Sequence, residues 1–552
     1  MKRILYILIA LLVSINSSAQ IERAAKSIFS LTTFKKDGSI LASTHGISVG
    51  TNGEAISAWT PFIGADSAIV IDTYGKQYTV SALIGASELY DICKFKVNGK
   101  IPAAPIAKTA SKQGEKVWLL QYSVNKPQID QRLVQSMEPF MEKYSYYMFS
   151  TNMPDNTDGC PFVNAKGEVI GLQQHNKSGD KVFATDANYT NSLEISNGLA
   201  ITNQTLKQSF IPINYPTDHD QAAVMLTLAA EQGDSAMYQK YIHAFIHYFP
   251  QHIEGYDAQA KTQLSLANFA AVDATIAQAL KQVTKKDDVH SAYSRLIYNK
   301  ITNLPDSIYP SWTAEKALEE ANAAYNISPQ PLYMHQQALA LFVKKDYQAA
   351  YDKFISLTKT NIRNSDQFYS AAQCKVQMKA PLAETIALMD SAIATSPQPL
   401  NSLGAPYILA RGTIFYNNGE YRKAVVDFNQ YDSLMQGRPI NSDFYYIRHK
   451  AEMEVHQYQQ ALNDMRRAII LNRNSPTLWA EIASLHLRFN QTDEAIQSAQ
   501  ICTQLAPEYS DGFILLGVAN MVAKNKEEGT KALIKAKELG DPRADEYLKK
   551  YK

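Results

Sequence analysis

Two patterns of apolar and polar residues divide this 552-residue chain near residue 205. Before that point short runs alternate with a period of two, as in SAIVID at 67 to 72, YTVSALI at 78 to 84 and VWLLQY at 117 to 122, and Gly, Asn and Asp punctuate them. Such alternation places apolar side chains on one face of a strand, and those punctuators build turns, so residues 20 to 205 are expected to form an all-β domain. IPINYPT at 211 to 217 follows, with prolines that oppose helix at the residues before them. Residues 206 to 217 therefore read as a linker. From residue 218 to the end the apolar period is helical, irregular over 218 to 330, where one plausible helical pair runs from Ile253 to Lys286.

The later part of the helical region repeats. Copies of 34 residues start at Ser442, Pro476 and Ser510, another starts at Ala405, and further units start near Pro331 and Ser365, the last with an insertion around Ala380 and Pro381 and an end at Pro397. Residues 331 to 541 thus form an all-α array of helical hairpins, and residues 542 to 552 read as a polar capping helix. The pattern resembles tetratricopeptide repeats. Their small residue at the eighth place is matched by Gly412, Ala483 and Gly517, the alanine at the twentieth by Ala424, Ala461 and Ala495, and the apolar residue at the twenty-fourth by Phe428 and Met465. Pro507 matches the closing proline, which Asp541 replaces in the final copy. The resemblance implies a solenoid whose inner groove presents Tyr416, Asn417, Tyr446, Lys450, Met453, Ser484, Leu487, Arg488 and Met521. Tyrosine, methionine and arginine combine apolar area with polar ends, which suits a protein or peptide partner.

Residues 152 to 172, NMPDNTDGCPFVNAKGEVIGL, read physically as a turn at Asp158-Gly159, a strand from Pro161, a second turn at Ala165-Lys166-Gly167 and a partner strand through Leu172. The stretch resembles the nucleophile region of trypsin-like serine peptidases, the HtrA-type branch in particular, with matches at Gly159, Pro161, Val163, Asn164, Gly167, Val169, Ile170 and Gly171. Asp158 stands at the serine position. Upstream, the family's aspartate falls on Asp91 and its histidine on Thr60, while the histidines of this region are His45 and His175. The resemblance implies a double β-barrel with a degenerate triad at Thr60, Asp91 and Asp158. Amide hydrolysis on that scaffold needs an oxygen nucleophile, an imidazole to carry its proton and an acid to orient the imidazole. Threonine and aspartate do not replace the first two, and Asn156 replaces the glycine two places before the nucleophile position. Cys160, directly before Pro161 and without a histidine in the motif, reads as a core thiol rather than a nucleophile. The expectation is a non-catalytic pseudoprotease joined to an interaction domain. The alternative is an active endopeptidase using another pair, for instance Ser150 with His175.

Lys2 and Arg3 precede an apolar run at 4 to 13, and Ser17-Ser18-Ala19 supplies the small residues of a signal-peptidase site. Residues 1 to 19 are expected to be a cleaved signal peptide, with Gln20 first in an exported, periplasmic or secreted product that has no transmembrane segment. A formal net charge of +1 gives no electrostatic case for nucleic acid. In the family fold Cys93 and Cys160 lie in neighbouring regions, which leaves a disulfide or two buried thiols open; Cys374 and Cys502 read as buried small side chains. No phosphate loop, dinucleotide fingerprint or metal motif occurs, so no cofactor and no metal is expected. His243 and His247, four apart on one helix face, have a spacing that could bind metal but no third ligand in sequence, and read as surface or groove-packing residues.

Overall fold

The computed structural model describes residues 17–150, 157–174, 181–195 and 197–551, and the chain divides into two compact units between Val289 and His290. The first unit contains all thirteen strands found among the described residues. β1 (Ile28–Phe34), β2 (Ile40–Ser48), β3 (Glu54–Ser57), β4 (Ser67–Asp72), β5 (Gln77–Ser87) and β6 (Ile92–Val97) form a closed barrel in the order β1-β2-β3-β6-β5-β4. The alternation at 67 to 72 is realised here: Ala68, Val70 and Asp72 point inward. Trp59, Phe62, Phe95 and Phe29 fill the interior, with Trp59 stacked on Phe62 and Phe62 5.1 Å from Phe95. Each such side chain contributes about 1.5–3 kcal/mol by leaving water.

The remaining strands are β7 (Lys116–Gln121), β8 (Gln128–Leu133), β9 (Ser136–Phe140), β10 (Tyr144–Phe149), β11 (Pro161–Val163), β12 (Val169–Gln173) and β13 (Val182–Asp186). They form one seven-stranded sheet, β8-β7-β11-β12-β13-β10-β9, rather than a second closed ring. Its terminal strands explain the difference from a double barrel. β8 is mostly polar and exposed, and no residue of β9 is fully buried, so the two ends of the sheet bury little apolar face. The β11 to β12 hairpin lies where the sequence puts it, with Gly167 at its turn at a φ of +73°. The short helix at 17–25 sends Ile21, Ala24 and Ala25 into a cluster shared by both sheets. Residues 1–16, most of the expected signal peptide, lie outside the described residues.

Residues 206–217, expected as a linker, dock on the barrel. The Leu83 amide donates to the Pro212 carbonyl, the Asn214 amide donates to the Leu83 carbonyl, and Ile213 bridges Leu83 in parallel. Ile211, Ile213 and Tyr215 join the barrel's own core, together with Met225, Tyr241 and Phe245 from the first two long helices. The same cluster therefore holds the barrel and the start of the helical region.

In the second unit the helices Pro331–Val343, Ser365–Gln377, Ala405–Asn417, Ser442–Glu454, Pro476–Arg488 and Ser510–Val522 begin at the six positions expected for repeat copies, and each is followed by a second helix that packs on it. The helical pair expected from Ile253 is Glu254–Ser265 with Phe269–Gln282 in the first unit, and the capping helix is Arg543–Lys550. Small residues sit where the two helices of a hairpin approach. A Cβ on Gly412 would lie 2.9 Å from the Phe428 ring, and one on Gly517 would lie 2.6 Å from Leu533. Lys345, Lys379, Gly419, His456, Asn490 and Lys524, each fifteenth in its copy, take a positive φ at the turn. Left-handed backbone at a non-glycine residue carries a strain of about 1–2 kcal/mol. Lys524→Gly is expected to raise stability by about 1 kcal/mol, read as a higher melting temperature by helical circular dichroism.

Two Arg–Asp forks, one half-buried and one buried, each join the two helices of a hairpin. Arg411 grips Asp427 at 2.9 and 2.7 Å, and Arg448, one copy later, grips Asp464 at 2.6 and 2.9 Å. Glu452 lies beside the second fork and is 3% exposed. Burial and then the Asp464 charge push its carboxyl up to about 8, against the pull of Arg448. Its folded form thus holds a proton that the unfolded chain releases in the ordinary carboxylate range. That contribution is complete at low pH and is lost as pH rises toward about 8. The melting temperature is expected to fall between pH 5 and pH 8.5, and Glu452→Gln to flatten that slope; parallel slopes would refute the assignment.

Candidate functional site

Two places gather the residues singled out in the sequence, one in each unit. In the first, Thr60 opens a single 3₁₀ turn, Thr60–Phe62, and Asp91 lies in the approach to β6. The two meet. Asp91 Oδ1 accepts from the Thr60 amide at 2.7 Å and from Thr60 Oγ1 at 2.8 Å. Asp91 makes these bonds from left-handed backbone, φ +40°, a conformation that aspartate tolerates better than most side chains. One carboxylate oxygen thereby closes the turn that inserts Phe62 into the barrel core.

Asp158 is half-buried, and its carbonyl holds its turn to β2: Thr44 Oγ1 donates to it at 3.0 Å and His45 Nδ1 at 3.2 Å. Gly159 beside it has a φ of +76°, and a Cβ there would lie 2.4 Å from the His45 carbonyl. Only glycine fits that approach. Burial pushes the His45 imidazole below its ordinary range, against the Asp158 carbonyl, so the ring is a neutral donor near pH 7. His175 and Asn156 lie outside the described residues.

Cys93 and Cys160 are free thiols in different clusters, Cys93 in the barrel interior and Cys160 in the second sheet beside Phe149 and Phe162. The disulfide considered from the sequence is therefore not formed. Burial pushes the Cys160 thiol up to about 12, which keeps it protonated and a poor nucleophile. Cys374 and Cys502 are buried, as expected.

In the second unit, five of the nine residues expected at the repeat groove line one pocket of about 260 Å³: Tyr416, Lys450, Met453, Ser484 and Arg488. They come from the first helices of three successive hairpins. His449, Glu454, Glu481 and Leu485 complete the lining and were not singled out in the sequence. Their signal was available, since each lies on a first helix within four residues of a residue that was. Tyr446 stands alongside, its hydroxyl donating to Glu481 Oε1 at 3.1 Å and its ring 4.3 Å from Lys450 Nζ. The Tyr446 hydroxyl chiefly, against burial, holds the Lys450 ammonium above its ordinary range, so the pocket keeps this cation. Leu487 is half-buried and Asn417 exposed, both outside the pocket lining. Met521 is a correction: it is buried with Ile514, Leu533, Ala536 and Ala544. The chemistry offered is mixed: two cations, two carboxylates and an apolar floor.

A third gathering, absent from the sequence reading, joins His219, His252 and Glu254. His243 and His247 are exposed on the helix Ser235–Tyr248 and belong to no such group among the described residues.

If Asp91 serves to close the Thr60 turn, Asp91→Ala costs about 1–2 kcal/mol, whereas Asp91→Asn, which keeps an acceptor and tolerates the same backbone, costs less than half of that. Denaturant unfolding of the full chain separates the two. No family model matches the chain, and no curated protein matches it in sequence.

Proposed function

We propose that the chain is an exported, non-catalytic binding protein. In this reading its N-terminal part is a trypsin-like peptidase domain without peptidase chemistry, and its tetratricopeptide array takes a protein or peptide partner. The observation that carries the reading is the pocket of Tyr416, Lys450, Met453, Ser484 and Arg488, in which side chains from three successive copies converge. Aromatic, methionine and arginine side chains at one concavity are the composition of a binding hot spot. The barrel supports the non-catalytic half. At the position of the base Thr60 donates its hydroxyl to Asp91, and at the position of the nucleophile Asp158 is anchored through its backbone to β2. Neither arrangement pairs a hydroxyl or thiol at the nucleophile position with an imidazole base.

Export rests on the N-terminal segment of the sequence, and no described helix is long and apolar enough to cross a membrane. No nucleic-acid partner and no cofactor for catalysis belong to this reading.

Labelling with a fluorophosphonate serine probe, beside casein hydrolysis, tests the catalytic half. The expected result is no signal beyond that of protein denatured beforehand, and labelling that disappears on denaturation would establish an active serine. The binding half is tested on a peptide library with Lys450→Glu and Arg488→Glu together. Capture should fall about tenfold or more with unchanged helical content, and undiminished capture would remove the pocket from the reading.

A further inference from the structure

His219 is the first residue of the helix His219–Glu231, and Glu254 is the first of the helix Glu254–Ser265. His252 lies on the turn just before the second helix. The loop that carries it is tied to the segment before Asp288 by the Thr284 amide donating to the Gln251 carbonyl at 3.0 Å. His219, His252 and Glu254 border a cavity of about 380 Å³, together with Lys285 and Asp288.

The His219 ring stands between two carboxylates. Its Nδ1 faces Asp220 Oδ1 at 2.9 Å, a contact that requires the proton on Nδ1. Its Nε2 lies 3.3 Å from Glu254 Oε1, a contact that needs a proton or a metal ion between the two atoms. Nε2 and Glu254 Oε2 are both buried without a hydrogen-bond partner. A lone pair facing a carboxylate is repulsive unless a proton or a metal ion lies between them. The His252 ring stacks on His219 with centroids 3.8 Å apart, and one donor atom from each of the three residues lies within 4.8 Å of the others.

We infer that His219, His252 and Glu254 bind a divalent transition metal ion of the zinc class. Two imidazole nitrogens and one carboxylate oxygen are a donor set for zinc, with the fourth position left to water. Metal–ligand bonds of about 2.0–2.2 Å in a tetrahedron separate neighbouring donors by about 3.4 Å. The His219 to Glu254 separation already has that value, and His252, exposed on its turn, closes the remainder by rotating its ring. Asp220 fixes the tautomer of His219 from behind, the second-shell role that a carboxylate plays at a histidine ligand. Phe245 and Phe249 hold the ring edge-on at 5.8 and 5.7 Å. Lys285 opposes the cation and Asp288 offsets it. The ion would tie the starts of two helices that the sequence separates by 35 residues.

The test is titration of Zn²⁺ into the purified full chain by calorimetry, with the melting temperature read in Zn²⁺ and in chelator. One ion per chain is expected, with a higher melting temperature in the metal-bound protein. His252→Ala and Glu254→Gln should each weaken binding at least tenfold while leaving the melting temperature in chelator unchanged. Asp220→Ala should weaken it about tenfold. The pair His243→Ala with His247→Ala should bind as the parent does. The inference is overturned if the parent takes up no zinc, which would leave a proton as the occupant of Nε2. It is equally overturned if His252→Ala and Glu254→Gln bind like the parent, or if binding disappears in the His243 and His247 variant instead.

Discussion

Every helical hairpin from Pro331 to Glu538 closes through the same backbone turn, and what the second unit presents depends on it. At the fifteenth place of each copy the chain enters the left-handed region. The amide of that residue bonds three residues back, and the next amide bonds five residues back, as in Lys345 to Phe342 with Asp346 to Leu341, and Lys524 to Met521 with Asn525 to Asn520. This pair of bonds satisfies carbonyls that the end of a helix otherwise exposes. It also reverses the chain at a fixed angle, so that the eighth residue of the first helix meets the twenty-fourth of the second. Gly412 against Phe428 is that contact. With six turns alike, the first helices lie in register, and twelfth and thirteenth places such as Tyr416, Met453 and Arg488 come to one pocket.

The period of small and apolar residues made the helix starts legible, because packing between helices allows few substitutions at those places. The turn was not legible. Its residue is Lys, Lys, Gly, His, Asn and Lys in the six copies, since the hydrogen bonds belong to the backbone and only the conformation is shared. Met521 shows the opposite error, a repeat position followed too literally. It is twelfth in its copy, like Tyr416 and Met453, yet its twentieth-place partner is Gly529 where the three preceding copies have Ala424, Ala461 and Ala495. A Cβ on Gly529 would lie 2.9 Å from Met521 Cγ, so the glycine makes the space into which this side chain turns.

In the first unit β4, β5 and β7 lie on the alternating runs of the sequence and the β11 to β12 hairpin lies between its turn dipeptides, but the docked segment at 211–217 did not reveal itself. Prolines argued for a linker, and the structure uses them without conflict. Pro212 lacks an amide but contributes its carbonyl to Leu83, and the alternate residues Ile211, Ile213 and Tyr215 provide the apolar face. A segment that pairs along only part of its length tolerates proline, which a central strand does not. The His219, His252 and Glu254 group was hidden for a related reason. Its members share no period, and they meet because two helices start beside one loop.

The barrel and the repeat pocket differ in how their polar side chains are satisfied, and this difference is why the proposed peptide partner is placed at the pocket. In the barrel, Thr60, Asp91, His45 and Thr44 spend their hydrogen bonds on the backbone or on each other, closing a turn or clamping a strand. Groups so engaged lose those bonds when a ligand takes them, and the loss offsets what the ligand gains. At the repeat pocket, Arg488 is exposed and Lys450 stands over the face of Tyr446 with its charge retained. A partner proposed for that pocket would add contacts to a scaffold whose Arg–Asp forks, at Arg411 and Arg448, lie outside the pocket lining.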